Sequence, residues 1–343
     1  MHTGSLTGVT NADTITARRA FSWWDHSLQD YLEDYSSDSL LLHPACVRLR
    51  NQLEYAFFDK LNAADIYEHN GIFYRFSSPA YNLASEFVGM EKIRRQVKTL
   101  AAWQQKIGKD SVPVYVVIAS SKLSYYADEL PEYNRTSSER TNYHQYKQQL
   151  EGAGINVLDA NDWFLREKKN TAIPLMAKGG VHWTLYGGAV MMDSLVNRIR
   201  HDKKTDFQQV KMTFSEGYQL YEPDNDAVNL CNLMIKPREQ ALRVVNFPEP
   251  EKPGRKLRAV VISDSFFDVI AWTPLHPQVL DDATPFYYYF KTRICRQGIQ
   301  EAPVNDAVFA RDVEQADCII IITDVQNLSR FGFGFIEYLE EYF

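Results

Sequence analysis

Ser265 follows an apolar run and an aspartate in "AVVISDSFF", and His182 stands beside Trp183 in "GGVHWTLYGGAVMMDSLVNRI", just ahead of a helix-forming segment. A serine hydroxyl is a weak nucleophile until a base takes its proton, and histidine is the usual base near neutral pH. The chemistry open to such a pair is acyl transfer through an acyl-serine. The amides around Asp264 to Phe266, at a helix start, are candidates to stabilise an oxyanion, and Lys122, after the run "VYVVIA", is a further candidate. Of the eight histidines, His276 in "TPLHPQ" is the serious competitor; His26, His43, His69, His144 and His201 fall in segments that read as helix or surface. Structural roles compete with each of these readings. A strand-end serine or aspartate also serves as a helix cap, and a His-Trp pair also packs in cores.

The elements that must position these residues are legible in the hydrophobic pattern. "VPVYVVIA" (Val112 to Ala119), "INVLDA", "LRAVVIS" (Leu257 to Ser263) and "CIIIITD" (Cys318 to Asp324) read as buried strands. Between them lie segments of helical spacing: Phe87 to Leu100, stopping at Gly108; Tyr143 to Leu150, stopping at Gly152 or Gly154; and Met192 to Ile199. Strands alternating with helices predict a doubly wound, mostly parallel α/β sheet with helices on both faces. In such sheets ligands sit at the carboxyl ends of the strands, where Ser265, Lys122 and Asp324 all fall. Ahead of this core the sequence predicts a linker or disordered segment over 1–20, then helices and a hairpin over 21–110. The hairpin, "DIYEHNGIFYRF", turns at Asn70-Gly71. The α/β core occupies 111–343.

The totals exclude several classes. A net charge of −7 supplies no excess of cations to neutralise phosphates, so no nucleic-acid partner is expected. No apolar stretch reaches the length of a membrane span, and "MHTGSLTGVTNADTITARRA" at the start lacks the apolar segment of a signal peptide. Cys46, Cys231, Cys295 and Cys318 show no CxxC spacing, which argues against a zinc site and leaves disulfides open. An aromatic share of 13% suits both sugar contact and a large core; Trp183, Tyr186, Trp272 and the run Tyr287-Tyr288-Tyr289 are candidate sugar platforms.

From about Phe21 to Phe343 the order of these pieces resembles the SGNH hydrolase-like domain of the alginate O-acetyltransferase family, the polysaccharide O-acetylation proteins. The matching pieces are "RLRNQLEYAFF", "NGIFYRF", "VPVYVVIASSKLSYYADELP", "GINVLDANDWF", "GVHWTLYGGA", "YEPDNDAVNLCNL", "AVVISDSFF" and "TDVQNLSRFGFGFIE". His182 precedes Ser265, as in the circularly permuted acetyltransferase branch and unlike ordinary SGNH hydrolases. The resemblance implies Ser265 as nucleophile, His182 as base, a flavodoxin-like fold, and O-acetylation of an extracytoplasmic polysaccharide. It implies an acetyl donor passed from a membrane-bound O-acyltransferase, no metal or nucleotide cofactor, and an N-terminal anchor or signal outside this chain. Two positions depart from the family pattern. Gly180 stands where the family has the aspartate of D-x-H-W, so Asp324 is the expected third member that orients His182; Ser263 stands where the family has the glycine before Asp-Ser. A carbohydrate acetylesterase, or a non-catalytic polysaccharide-binding or assembly protein on the same fold, are the alternatives.

Overall fold

A computed structural model describes residues 6–7, 43–108, 111–136, 140–219, 221–237, 242–296 and 300–342. Apart from residues 6 and 7, the expected N-terminal linker lies outside the described residues. Helix α1 (His43–Phe58) precedes the hairpin β1 (Ile66–His69) and β2 (Ile72–Arg75). The hairpin turns where Asn70 and Gly71 both take positive φ, 52° and 77°, which suits the right-handed twist of its strands.

The core is a seven-stranded sheet. Its members in chain order are β3 (Val114–Ala119), β4 (Asn156–Asp159), β7 (Ala259–Ser263), β8 (Pro285–Tyr288), β9 (Thr292–Cys295), β10 (Gln300–Pro303) and β11 (Cys318–Asp324), and their spatial order is β10-β9-β8-β7-β11-β3-β4. The pairings from β4 through β3, β11 and β7 to β8 are parallel; β8-β9 and β9-β10 are antiparallel, so the sheet is mixed. A separate antiparallel pair, β5 (Thr213–Gln219) and β6 (Leu242–Asn246), lies outside it. "INVLDA" forms β4 as expected, but at the sheet edge, which is why its residues are half-buried. The tyrosine run proves to be the end of β8 and the turn after it. Tyr287 is fully buried and donates its hydroxyl hydrogen bond to Asp312 at 2.8 Å, so it is core and no sugar platform.

Alternation along the central strands feeds two cores. Tyr115, Val117 and Ala119 of β3 pack on one face, with Leu195 and Ile199 of α6 (Leu185–Lys203) and Phe164 of α5 (Ala160–Glu167). Val114, Val116 and Ile118 pack on the other, with Leu100 and Trp103 of α2 (Met90–Ile107), Leu150 of α4 (Asn142–Gly152) and Phe309 of α10 (Asp306–Glu314). Both faces are therefore covered, and the continuous apolar strands follow from that. Each such side chain contributes on the order of 1.5–3 kcal/mol by leaving water. The short helices α3 (Lys122–Tyr125), α7 (Asp226–Leu230), α8 (Asp268–Ala271) and α9 (Leu275–Val279), together with α11 (Phe335–Tyr342), complete the layers.

The sheet places β7 and β11 side by side, with Ile322 level with Ser263. Their carboxyl ends deliver Asp264-Ser265 and Asp324 to one crevice. Among the described residues no helix is long and apolar enough to cross a membrane.

Candidate active site

Strand β7 ends at Ser263 and the chain enters a single 3-10 turn, Ser265–Phe267. Asp264 caps this turn: its Oδ1 accepts from the Phe266 amide at 3.0 Å. The Ser265 side chain is thus presented at the top of the sheet. Ser263, where the family has glycine, is extended and fully buried, and its φ is not positive, so nothing in the backbone there requires glycine.

His182 reaches the serine from the loop before α6. Its Nε2 lies 2.8 Å from Ser265 Oγ, and its Nδ1 lies 2.6 Å from Asp226 Oδ2. The other oxygen of Asp226 accepts from the Val181 amide at 2.6 Å, which fixes the carboxylate against the histidine loop. Such an arrangement has each part a serine acyl-transfer site needs: a nucleophile, a base in contact with it, and a carboxylate that sets the tautomer of the base. Burial disfavours the charged imidazole. The hydrogen bond and charge of Asp226, with the charges of Asp264 and Asp268 behind, outweigh burial, and the His182 pKa stands above its ordinary value.

The partner of Nδ1 is therefore Asp226 and not Asp324. Asp324 lines the same cavity, but its Oδ1 accepts from the Asn327 amide at 2.5 Å as a cap. The reason lies at the two glycines before His182. A Cβ on Gly180 would press on the carbonyl of Pro223 and lie 2.9 Å from the carbonyl carbon of Asp224; one on Gly179 would meet the Asn225 side chain at 2.5 Å. Without side chains there, residues 223–226 lie against the loop, and Asp226 arrives where an aspartate at 180 has no room. The segment "YEPDNDAVNLCNL" carried this information only as two aspartates at the start of a short helix, a pattern shared with ordinary caps.

The remaining expected residues divide. Phe266 lines the cavity, but its amide is already engaged by Asp264, and Asp264 is buried beneath. Lys122 is not in the cavity. It is buried under the histidine loop, where its Nζ donates to the Ala177 carbonyl and lies 5.0 Å from the centre of the Tyr126 ring, and burial lowers its pKa to about 7. Trp183 is also buried, edge-on to Phe266 with ring centres 5.1 Å apart; it props the Ser265–Phe267 turn from behind and cannot receive a sugar. Tyr186 is half-buried against Phe214. Trp272 is 47% exposed, its indole donating to Asp268 at 3.1 Å one turn beyond Ser265. His276, the competing base, is buried in α9 outside the cavity, and burial lowers its pKa to about 4.

The cavity that holds Ser265 and His182 has a volume of about 450 Å³. Tyr81, Tyr289, Arg75 and Arg330 line it with Asp324 and Asn327. Tyr289 is the one member of the tyrosine run that reaches it, set there by a positive φ of 48° after β8.

Sheet and site together define an SGNH hydrolase-like domain. The family model described as SGNH hydrolase-like domain, acetyltransferase AlgX, matches residues 76–251, and the chain belongs to that family. The matched segment contains His182 and Asp226 and ends before Ser265. Among solved structures, the O-acetyltransferase domain of Pseudomonas putida AlgJ is similar with a TM-score of 0.51 at 13% identity, over 80% of this chain and 98% of that one. Bacillus cereus PatB1 with a sulfonyl adduct (TM-score 0.48, 14% identity, 79% and 99% covered) and Pseudomonas aeruginosa AlgX (TM-score 0.48, 12% identity, 83% and 71% covered) are also similar. No curated protein sequence matches the chain.

Proposed function

We propose that this protein is an O-acetyltransferase that acetylates hydroxyls of an extracytoplasmic polysaccharide through an acetyl-serine intermediate. The observation that carries the reading is the continuous contact from Asp226 through His182 to Ser265, at 2.6 and 2.8 Å. Membership of an acetyltransferase family supports the acyl group, and the AlgJ domain is by its description an O-acetyltransferase.

In the first half-reaction Ser265 Oγ attacks the acetyl carbonyl as His182 Nε2 takes its proton. The imidazolium that forms is held by Asp226. Collapse of the tetrahedral intermediate breaks the bond to the leaving group, which receives that proton, and leaves acetyl-Ser265. In the second, a sugar hydroxyl gives its proton to His182 and attacks the same carbonyl. Ser265 leaves as the alkoxide and is reprotonated by the imidazolium. The donor in this reading is passed from a membrane-bound O-acyltransferase, and Trp272, the one exposed residue among the candidate sugar platforms, flanks the site for the polymer.

The experiment is a competition for the acetyl group. With an activated acetyl ester as donor, a polysaccharide acceptor should become O-acetylated in proportion to its concentration, at the expense of free acetate. Release of acetate alone at every acceptor concentration would make the protein an acetylesterase instead.

A further inference from the structure

Asp264 and Asp324 are both buried, the first fully and the second to 5% exposure, at the ends of adjacent parallel strands. One residue ties them together. Asn327 donates its backbone N–H to Asp324 Oδ1 at 2.5 Å and its side-chain Nδ2–H to Asp264 Oδ2 at 3.0 Å. Among the described residues neither carboxyl forms an ion pair with lysine or arginine. Of the cations that line the cavity, Arg330 donates to Asn327 Oδ1 at 3.0 Å and lies over the Tyr289 ring, His182 is held by Asp226, and Arg75 is paired with neither carboxyl among the described residues. Two carboxyls buried close together with no cation paired to either do not both ionise; one of them keeps its proton.

The Phe266 amide, one of the donors expected to meet an oxyanion, is spent on Asp264. Beyond the last pair, Ile322 with Ser263, both strand ends reach one cavity, which Ser265 and Asp324 line and Asp264 does not. We propose that Asp264 and Asp324 are a coupled carboxyl pair holding one proton, and that Asp324 carries it into catalysis as a neutral acid whose O–H donates a hydrogen bond to the acyl oxygen of the substrate. The proton is not transferred; it strengthens its hold as negative charge grows on that oxygen. A carboxylic acid kept neutral by its surroundings is a strong donor in such a place.

The groups facing the pair are consistent with this. Burial and the Asp264 charge push Asp324 up to about 8, and burial raises Asp264 as well. Asp268, raised to about 6 by burial, and the hydroxyls of Tyr81 and Tyr289 add no positive charge; the N–H donors of Phe266, Gln326 and Asn327, and His182 when protonated, oppose the trend without reversing it, while Arg75 and Glu86 line the cavity with opposite signs.

The donor role rests on the acyl-transfer reading, whereas the pair itself does not, and the test separates them. Infrared spectra of the substrate-free protein at neutral pH should show the carbonyl band of a protonated carboxyl that titrates away around pH 8 and is missing in Asp324→Asn. Absence of that band from wild type overturns the pair. In acetyl-ester turnover, wild type should lose activity as pH rises through about 8. Asp324→Asn, which keeps a donor and cannot ionise, should stay within a few-fold of wild type without that alkaline limb. Asp324→Ala should lose on the order of 10²-fold at all pH values, as a removed oxyanion donor does, with an unchanged fold by circular dichroism. Equal losses in Asn and Ala, or an alkaline limb that survives in Asp324→Asn, overturn the donor role while Ser265 is still acetylated. A band present with Ser265 never acetylated overturns the donor role and the acyl-transfer reading together, leaving the pair.

Discussion

Asp226 stands 44 residues after His182 in the chain, yet its Oδ2 lies 2.6 Å from His182 Nδ1 while its Oδ1 takes the Val181 amide. One carboxylate thus fixes both the loop and the ring. Asp226→Asn should lower turnover of an acetyl ester by about 10²- to 10⁴-fold, because the amide can stabilise the wrong tautomer and cannot balance the imidazolium. Steady-state rates of Asp226→Asn measured beside Asp324→Asn check this. Equal activity of Asp226→Asn and wild type would remove Asp226 from the site.

The same contact sets a pH dependence. His182 must be neutral to accept a proton, so activity should fall as pH drops through its folded pKa, which lies above the ordinary imidazole value of about 6.5. Removing the Asp226 charge leaves burial dominant, and the acid limb of kcat/KM in the residual activity of Asp226→Asn should move to lower pH. Stability follows the opposite limb. A raised folded pKa means the ion pair contributes fully below about pH 6.5 and its contribution is lost as pH rises through the folded value. The stability difference between wild type and Asp226→Asn, read from chemical unfolding, should therefore be largest on the acid side and shrink toward alkaline pH.

Gly180 is where the family pattern and this chain part. A side chain there collides with the backbone of Pro223 and Asp224. Gly180→Ala should lower the melting temperature, and it should cost activity beyond what the loss of stability explains, since the segment it pushes away carries Asp226. Gly180→Asp should do no better. An active, fully stable Gly180→Asp would mean that the 223–226 segment moves freely and that Asp226 is not held as described.

Much of the sheet was legible because its central strands are buried on both faces and so read as unbroken apolar runs; "VPVYVVIA" begins two residues before β3 and "CIIIITD" coincides with β11. His182 and Ser265 were legible as a pair because Ser265 follows an apolar strand at a helix start and His182 stands in the loop just before a helix. Asp226 was not, since its role depends on a loop contact across 44 residues that only the missing Cβ atoms of Gly179 and Gly180 permit. Residue type misled at Trp183, Tyr287 and Lys122, where an aromatic or a cation was read as ligand-facing and packing took it inside. The antiparallel β8-β9-β10 end of the sheet left no clear alternation to read, because Pro285, the tyrosine run and the turn at Tyr289 and Phe290 break it up.

Intact-mass and peptide-level mass spectrometry of the protein mixed with an activated acetyl ester and quenched in acid tests the central claim most directly. A single acetyl group should appear on Ser265, absent in Ser265→Ala, slowed in His182→Ala, and discharged when a sugar acceptor is added. Acetylation spread over surface lysines with none on Ser265, or the same yield in Ser265→Ala, would contradict it.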